Sequence, residues 1–588
     1  MDCLSRRDLD FVLYEVLEVD RLCGRSRYRE HSRATFDAVL DTAARIAAEQ
    51  FAPHNRLADQ NEPRFEAGRV AMIPQVKQAL QAFCQAGFIA ASFDAGLGGL
   101  QLPVVVAQAA LAFFKGANIG TEGYALLTIA NANLLAAFGS EEQKRLYLPH
   151  LLSGRFFGTM CLSEPQAGSS LADILTRALP QADGSYRLAG HKMWISGGEH
   201  ELAENIVHLV LARIQGAPAG VKGLSLFLVP KFLVNADGTL GARNDIALAG
   251  LNHKMGYRGT VNCVLNFGEK EGALGTLVGE PHNGLACMFH MMNEARVGVG
   301  LGAVALGYAG YRHALDYART RTQGRPPAAK DPRSPPVRIV GHADVRRMLL
   351  AQKAYVEGGL ALCLYAARLV DEERTAKEAR ERSRAHALLE VLTPIVKAWP
   401  SEWCLAANDL AIQVHGGYGY TREYPVEQLY RDNRLNAIHE GTNGIQALDL
   451  VGRKIDGLPV LTVEMERCVE KARRISGLEL FAEQLSEALQ RVTGAAESFP
   501  RAVDAALANA HVFLELAGHV VVAWLWLEQA IVAARALESA AGDEEAFYRG
   551  KLQACRFFFR WELPKTEHWH RLFVDPDTTC LDMRDAWF

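Results

Sequence analysis

A chain of 588 residues, 49% hydrophobic and 22% charged, carries enough apolar material for two to four domains with cores of their own. Its formal net charge of −4 excludes the strong positive field that nucleic acid or an anionic membrane would call for. Eleven scattered cysteines, an odd number with no C-x-x-C pair, exclude zinc-knuckle and thioredoxin-like spacings and suit reduced thiols in a cytoplasm.

The opening "MDCLSRRDLDFVLYEV" lacks the apolar core of a signal peptide. Residues 1–155 predict a helical domain: "RATFDAVLDTAARIAAEQF" and "MIPQVKQALQAFCQAGF" repeat apolar residues every three or four positions, and Ser140 caps "GSEEQKRLYLPHLL". Residues 156–280 change texture. "SYRLAGHKMWISGG", "ENIVHLVLARI", "GLSLFLVPKF" and "VNCVLNFGE" predict a β-domain of six to eight strands. The helical period returns over 281–455, broken by the proline-rich surface loop 323–342. Residues 456–588 predict a further helical domain. Its most apolar run, "LAGHVVVAWLWL" at 516–527, is too short at twelve residues to span a bilayer; it reads as a buried helix, and no transmembrane segment is expected.

Five stretches carry candidate chemistry. In "MCLSEPQAGSSLAD" (160–173) small residues admit a ligand close to the backbone, and hydroxyls and free N–H groups suit polar ring atoms or phosphate; a plain turn reads the same way. In "HKMWISGG" (191–198), Trp194 and Ser196 set a flat surface beside a hydrogen-bonding group, as a planar cofactor or a core would use. "NEARVGVGLGAVALGYAG" (293–310) contains Gly298-x-Gly300-x-x-Ala303, but no strand precedes it, so the glycines read as close helix packing and not a dinucleotide fingerprint. "AIQVHGGYGYTREYPVEQLYRD" (411–432) stops a helix at Gly416-Gly417. "AIHEGTNGIQ" (437–446) sets Glu440 in a glycine-flanked turn; without a second histidine it is no zinc site, so it either solvates a helix start or takes up a proton.

The order and spacing of these stretches, together with "KMGYRGT" and "YARTRTQGR", resemble the acyl-CoA dehydrogenase family over residues 30–455. The extra helical segment is similar to a long bacterial branch of that family. The resemblance implies an α+β chain of the acyl-CoA dehydrogenase fold: an N-terminal helical domain, a middle β-barrel-like domain, a C-terminal four-helix bundle carrying the base, and the added helical domain. It implies FAD between the middle domain and the bundle and across a subunit interface.

Met160, Leu162, Ser163, Gly168 and Ser169, with Trp194, Ile195 and Ser196, are then expected at the flavin, Ser196 facing its N5 region. Ser169 would also meet the pantetheine, and Asn293 and Arg296 fall where the family binds CoA. Arg321, Gln323, Gln413, Gly416 and Gly417 are expected around the ADP half of FAD. Glu440 is the implied catalytic base, with Gly441 at the substrate and Thr442 and Gly444 against the cofactor; no metal is implied. Other members carry the base just before the arginine of the CoA stretch, which here is Ala295. Three departures stand out: Ser170 where Asp is frequent, "RTQG" (321–324) without its aromatic, and His439 in place of a tyrosine.

The implied reaction is α,β-dehydrogenation of an acyl-CoA thioester to the trans-2-enoyl-CoA in fatty acid β-oxidation, with electrons passed to an electron-transfer flavoprotein. The implied assembly is a cytoplasmic homodimer, the extension replacing the second dimer of tetrameric relatives. An acyl-CoA oxidase using oxygen and a non-catalytic scaffold are the alternatives; the slightly acidic chain and the intact Glu440 weigh against the scaffold. The chemistry explains the residue types. A weakly acidic α-proton asks for a carboxylate whose pKa burial has raised, held on the opposite face of the substrate from the hydride acceptor.

Overall fold

The computed structural model describes residues 3–326, 328, 331–499 and 502–588, with the backbone alone at 290–293. The chain divides into two compact units, Ala34–Ala295 and Met1–Arg33 with Arg296–Phe588. The first 33 residues thus group with the long C-terminal part.

In the unit Ala34–Ala295, four main helices accompany a sheet: α1 (Arg33–Ile46), α2 (Pro74–Gln85), α3 (Val104–Phe138) and α4 (Glu141–Leu152). The apolar stripe of α1 buries Phe36, Leu40, Ala43 and Ile46 on one face. The cap on α4 forms as expected: Ser140 Oγ accepts from Gln143 N while the Gln143 side chain accepts from Ser140 N. Helix α3 is apolar nearly all round and breaks at Asn118 (φ −165°, ψ 86°). The Asn118 side chain accepts from Thr121 N, capping the helix that resumes after the break, and donates to Phe51 O.

After a small hairpin, β1 (Arg64–Glu66) and β2 (Arg69–Ala71), the strands are β3 (Phe156–Cys161), β4 (Arg177–Pro180), β5 (Tyr186–Ser196), β6 (Asn205–Ile214), β7 (Leu224–Pro230), β8 (Phe232–Val234), β9 (Leu240–Arg243), β10 (Ile246–Leu251), β11 (Asn262–Phe267) and β12 (Ala273–Val278). Eight of them form one sheet, in the order β10-β11-β5-β12-β7-β6-β3 with β4 beside β5 and β6, and β8 and β9 pair as a separate hairpin. Strand β6 is buried on both faces through its first eight residues, so it reads as a continuous apolar run. The eleven-residue β5 pairs with β11 along its C-terminal half and with β12 and β4 along its N-terminal half, which curls the sheet around it.

The bundle helices are α5 (Gly284–Thr320), which enters the other unit from Arg296 onward, α6 (Ala343–Thr375), α7 (Ala379–His415) and α8 (Val426–Asn433), followed by the short α9 (Asn443–Asp449). The glycine stripe does what the sequence suggests: a Cβ at Gly300 would lie 2.0 Å from the Val396 carbonyl oxygen, and one at Gly310 would lie 2.5 Å from Asn408 Nδ2. The proline-rich loop carries only one short 3-10 turn, Ile339–Gly341, among its described residues.

The added helices are α10 (Leu458–Ala472), α11 (Glu479–Ser498), α12 (Ala510–Leu537), α13 (Gly542–Phe557) and α14 (Lys565–Val574). Helix α12 interlocks with the bundle. Trp526 donates to the Ala354 carbonyl at 3.0 Å. A Cβ on Gly358 would lie 2.8 Å from Trp526, and one on Gly518 would lie 2.7 Å from Trp399. A polar knot ties in the N-terminal segment: Lys551 lies 2.8 Å from both Asp8 and Glu357, and Tyr308 donates to Asp8. Helices α3 and α12 are each long and apolar enough to cross a membrane, with 89% and 67% of their most apolar windows buried. The twelve-residue argument for α12 therefore fails, because the helix has 28 residues; it is protein cover that marks it as a core helix.

Candidate active site

Glu440 stands in a turn between a 3-10 turn, Arg434–Ala437, and α9. Its backbone is left-handed (φ +53°), as is that of Gly441 (φ +85°). Such a conformation costs a non-glycine residue ~1–2 kcal/mol, so the surroundings must impose it. They do. Thr442 caps α9 by accepting from Ile445 N at 3.3 Å. The buried Gln446 donates Nε2 to the carbonyls of Glu440 and Gly441, at 3.2 and 3.3 Å. A Cβ at Gly441 would fall 2.7 Å from that nitrogen, so a larger residue there would displace the Gln446 amide as well as strain the left-handed φ.

The Glu440 residue is half-buried, and desolvation of its carboxylate is the largest influence on it, raising its pKa; Lys397 and Arg296 pull the other way. Arg296 is buried and lies 2.9 Å from Asp449, which in turn lies 2.7 Å from Arg453. Arg296, the residue expected at CoA, pairs with Asp449 within its own unit, and its charge pulls against the effect of burial on Glu440. Lys397 is also fully buried. Its Nζ donates to Asn443 Oδ1 at 3.2 Å, and Asn443 Nδ2 reaches Glu402 at 3.4 Å. Burial pushes Lys397 down to about 7, against the pull of Glu440.

In the unit Ala34–Ala295, the segment after β3 is tied to β5 by a buried ion pair. Glu164 accepts from Leu175 N, Thr176 N and Thr176 Oγ1 at 2.6, 3.0 and 2.5 Å, and from Lys192 Nζ at 3.0 Å. Against the opposing effect of burial, Lys192 and these donors hold Glu164 down at about 2. Lys192 also donates to the Leu162 carbonyl, and Met193 N to the Ser163 carbonyl. The Glu-Pro carboxylate is therefore a fastening, and it leaves Gly168 and Ser169 exposed, with nothing within 4 Å of a Cβ at Gly168. Met160, Leu162 and Ser163 are half-buried.

Trp194 is held in left-handed backbone (φ +66°) with 57% of its surface exposed, while Ile195 beside it is buried. Ser196 Oγ accepts from Asn262 Nδ2 at 3.1 Å. An open indole on a fixed strand end, tied by β5 hydrogen bonds to the loop that carries exposed Gly168 and Ser169, fits a planar heteroaromatic ring.

The residues expected at the ADP half lie on open surface. Arg321 bonds Gln323 at 3.0 Å and its guanidinium stands 5.8 Å over the Tyr418 ring. Gln413 is exposed in the last turn of α7, Gly416 (φ +61°) ends that helix, and neither Gly416 nor Gly417 has an atom within 4 Å of a Cβ. Thr442 is committed to its cap, and Gly444 is exposed. The side chain of Asn293 lies outside the described residues. Ala295 offers no base, and Glu294 accepts from Asn133 at 3.1 Å. His439 pairs with Asn436 at 3.0 Å. The sequence reading missed Lys397 and Gln446. A lone lysine inside the apolar run "PIVKAW" is the one local signal; Gln446 gives none.

Family profiles match nearly the whole chain: the N-terminal domain of acyl-CoA dehydrogenases at 34–155, the middle domain at 159–269, the C-terminal domain at 282–455, and an "acetyl-CoA dehydrogenase C-terminal like" domain at 461–584. The chain is 37% identical over 591 residues to a 3-methylmercaptopropionyl-CoA dehydrogenase of Ruegeria pomeroyi, covering 98% of each. It is 36% identical to a broad-specificity linear acyl-CoA dehydrogenase of Mycobacterium tuberculosis, covering 99% of each. Among solved structures, an acyl-CoA dehydrogenase from Bacillus anthracis complexed with FAD shares the fold, with a TM-score of 0.73 at 21% identity over 95% of this chain and 90% of that one.

Proposed function

This chain belongs to the acyl-CoA dehydrogenase family, and from that premise we propose that it converts a fatty acyl-CoA thioester to its trans-2-enoyl-CoA with FAD as cofactor. The observation that carries the reading is Glu440: a carboxylate with a raised pKa, on a turn fixed by Gln446 and Thr442. A carboxylate so placed is a stronger base than one in water and is held rigidly enough to meet an α-proton. The backbone N–H of Glu440 donates to the thioester carbonyl; a donor of this kind contributes ~3–4 kcal/mol in the transition state. Gly441 lets the substrate lie close to the turn. Trp194 and Ser196 hold the flavin ring from β5, with Met160, Leu162, Ser163, Ile195, Gly168 and Ser169 around it. Arg321, Gln323, Gln413, Gly416 and Gly417 hold the ADP half. FAD, when bound, supplies the acceptor for the β-hydride.

We take electron-transfer flavoprotein as the next acceptor, because the curated relatives carry the name dehydrogenase and not oxidase. A cytoplasmic homodimer is the matching assembly, since α12 and its neighbours already cover one side of the bundle within this chain. Light scattering that returned a tetramer would reject the dimer. Anaerobic titration of the yellow enzyme with a ladder of acyl-CoAs tests the reaction. The flavin bleaches in the parent enzyme and stays oxidised in Glu440→Gln, which still binds acyl-CoA; normal bleaching of that variant rules out Glu440 as base.

A further inference from the structure

Lys397 is out of place by ordinary rules. It sits on α7 among buried Ile395, Val396, Ala398 and Trp399, with no exposed surface. A lone ammonium in such surroundings is disfavoured by several kcal/mol. The other deeply buried lysines resolve this with a carboxylate in contact: Lys115 with Glu122 at 2.8 Å, Lys192 with Glu164 at 3.0 Å, Lys551 with Glu357 at 2.8 Å. Lys397 has no carboxylate within ion-pair distance among the described residues; its hydrogen bond goes to the neutral amide oxygen of Asn443. Asn443 stands three residues after Glu440 at the start of α9, and Glu440 is the acid whose charge bears on the Lys397 ammonium.

We propose that Lys397 is a positioning residue for the base: it anchors the Glu440 turn through Asn443, and it places beside that turn a buried ammonium with no carboxylate in contact. This rests on the reading of Glu440 as the base. The other groups around the turn do not supply the same charge. Arg296, from α5, faces Glu440 but is met by Asp449, which also holds Arg453. Glu402, one turn along α7, approaches the Asn443 amide and not the ammonium. His439 is turned to Asn436. Of the two cations that oppose the effect of burial on Glu440, Lys397 is the one without a carboxylate in ion-pair contact among the described residues. It favours the ionised carboxylate that waits for substrate. Once the α-proton has moved to a Glu440 oxygen, the carboxyl is neutral and the ammonium has lost its counter-charge, so the same interaction favours release of that proton.

The test reads the carboxyl directly. Infrared difference spectra of the FAD-loaded enzyme, without substrate, are titrated against pH; the protonated band of Glu440 is the one lost in Glu440→Gln. In Lys397→Met the midpoint of that band rises by about one pH unit or more, tenfold in the ionised fraction at a fixed acid pH, and the acid limb of kcat/KM moves with it. Lys397→Arg, which keeps the charge, restores the parent midpoint. Thermal unfolding confirms that each variant is folded. If Lys397→Met does not fold, Lys397→Gln, which keeps a polar partner for Asn443, gives the same readout. A midpoint unmoved in the folded neutral variant overturns the role of Lys397. Turnover that survives in Glu440→Gln overturns the base instead, and the two failures are distinct.

Discussion

Glu440 and Trp194 share a conformation that side chains of their size rarely adopt, at φ +53° and +66°, yet they are equipped in opposite ways. Around Glu440 the protein has brought in its own chemistry: Gln446 on the carbonyls, Thr442 on the following helix, and two cations facing the carboxylate. Around Trp194 the front is bare, and the support lies behind, where Glu164 and Lys192 pin the loop to β5. A proton acceptor has to have its environment built in, because its pKa is that environment. A stacking platform has only to be aimed and left uncovered.

The largest effect expected from disturbing this contrast is at Glu440. Glu440→Gln should lower turnover by about 10²–10⁴-fold, measured by anaerobic stopped flow, while acyl-CoA binding persists. Next comes the support behind the platform. Glu164→Gln leaves Lys192 buried without its partner and should lose ~3–5 kcal/mol of stability in urea unfolding. The pH dependence has a definite sign. The Glu164 carboxyl is held at about 2 against an ordinary 4.5, so its stabilisation is complete above 4.5 and is lost as the pH falls toward 2. The variant should show a flatter acid limb in that window; an unchanged limb would show that the pair does not stabilise the loop. The smallest effect is at the platform itself. Trp194→Gly relieves left-handed backbone, so stability should hold or rise by ~1 kcal/mol, while FAD is held about tenfold less tightly in fluorescence titration. If stability dropped sharply instead, the indole would be a packing residue and the contrast would fail.

Local signals carried much of this. The helical period around α1 and α2, the Ser140 cap, the glycine stripe of α5 and the stop at Gly416 are short-range patterns, and each appears where the sequence sets it. The glycine after Glu440 marked a turn, while the role of the carboxylate came from the family resemblance and not from the local pattern. What stayed hidden depends on residues distant in the chain. Glu164 looked like part of a binding turn until Lys192 and Thr176 were seen to hold it. The Asp449 partner of Arg296 lies 153 positions further along the chain, beyond any local pattern. The grouping of the first 33 residues with the C-terminal part turns on pairs such as Tyr28 with Asp371 at 2.6 Å, which no window of sequence contains.

The exchange of tryptophans between bundle and extension has a historical consequence. Trp526 of the extension fills the space over Gly358, and Trp399 of the bundle fills the space over Gly518. Neither half can drift alone: enlarging either glycine displaces an indole on the other side, and deleting the tail leaves a hollow over Gly358 and uncovers Trp399. A change at either glycine is open only together with a change at the tryptophan that faces it, so bundle and extension must vary as a pair.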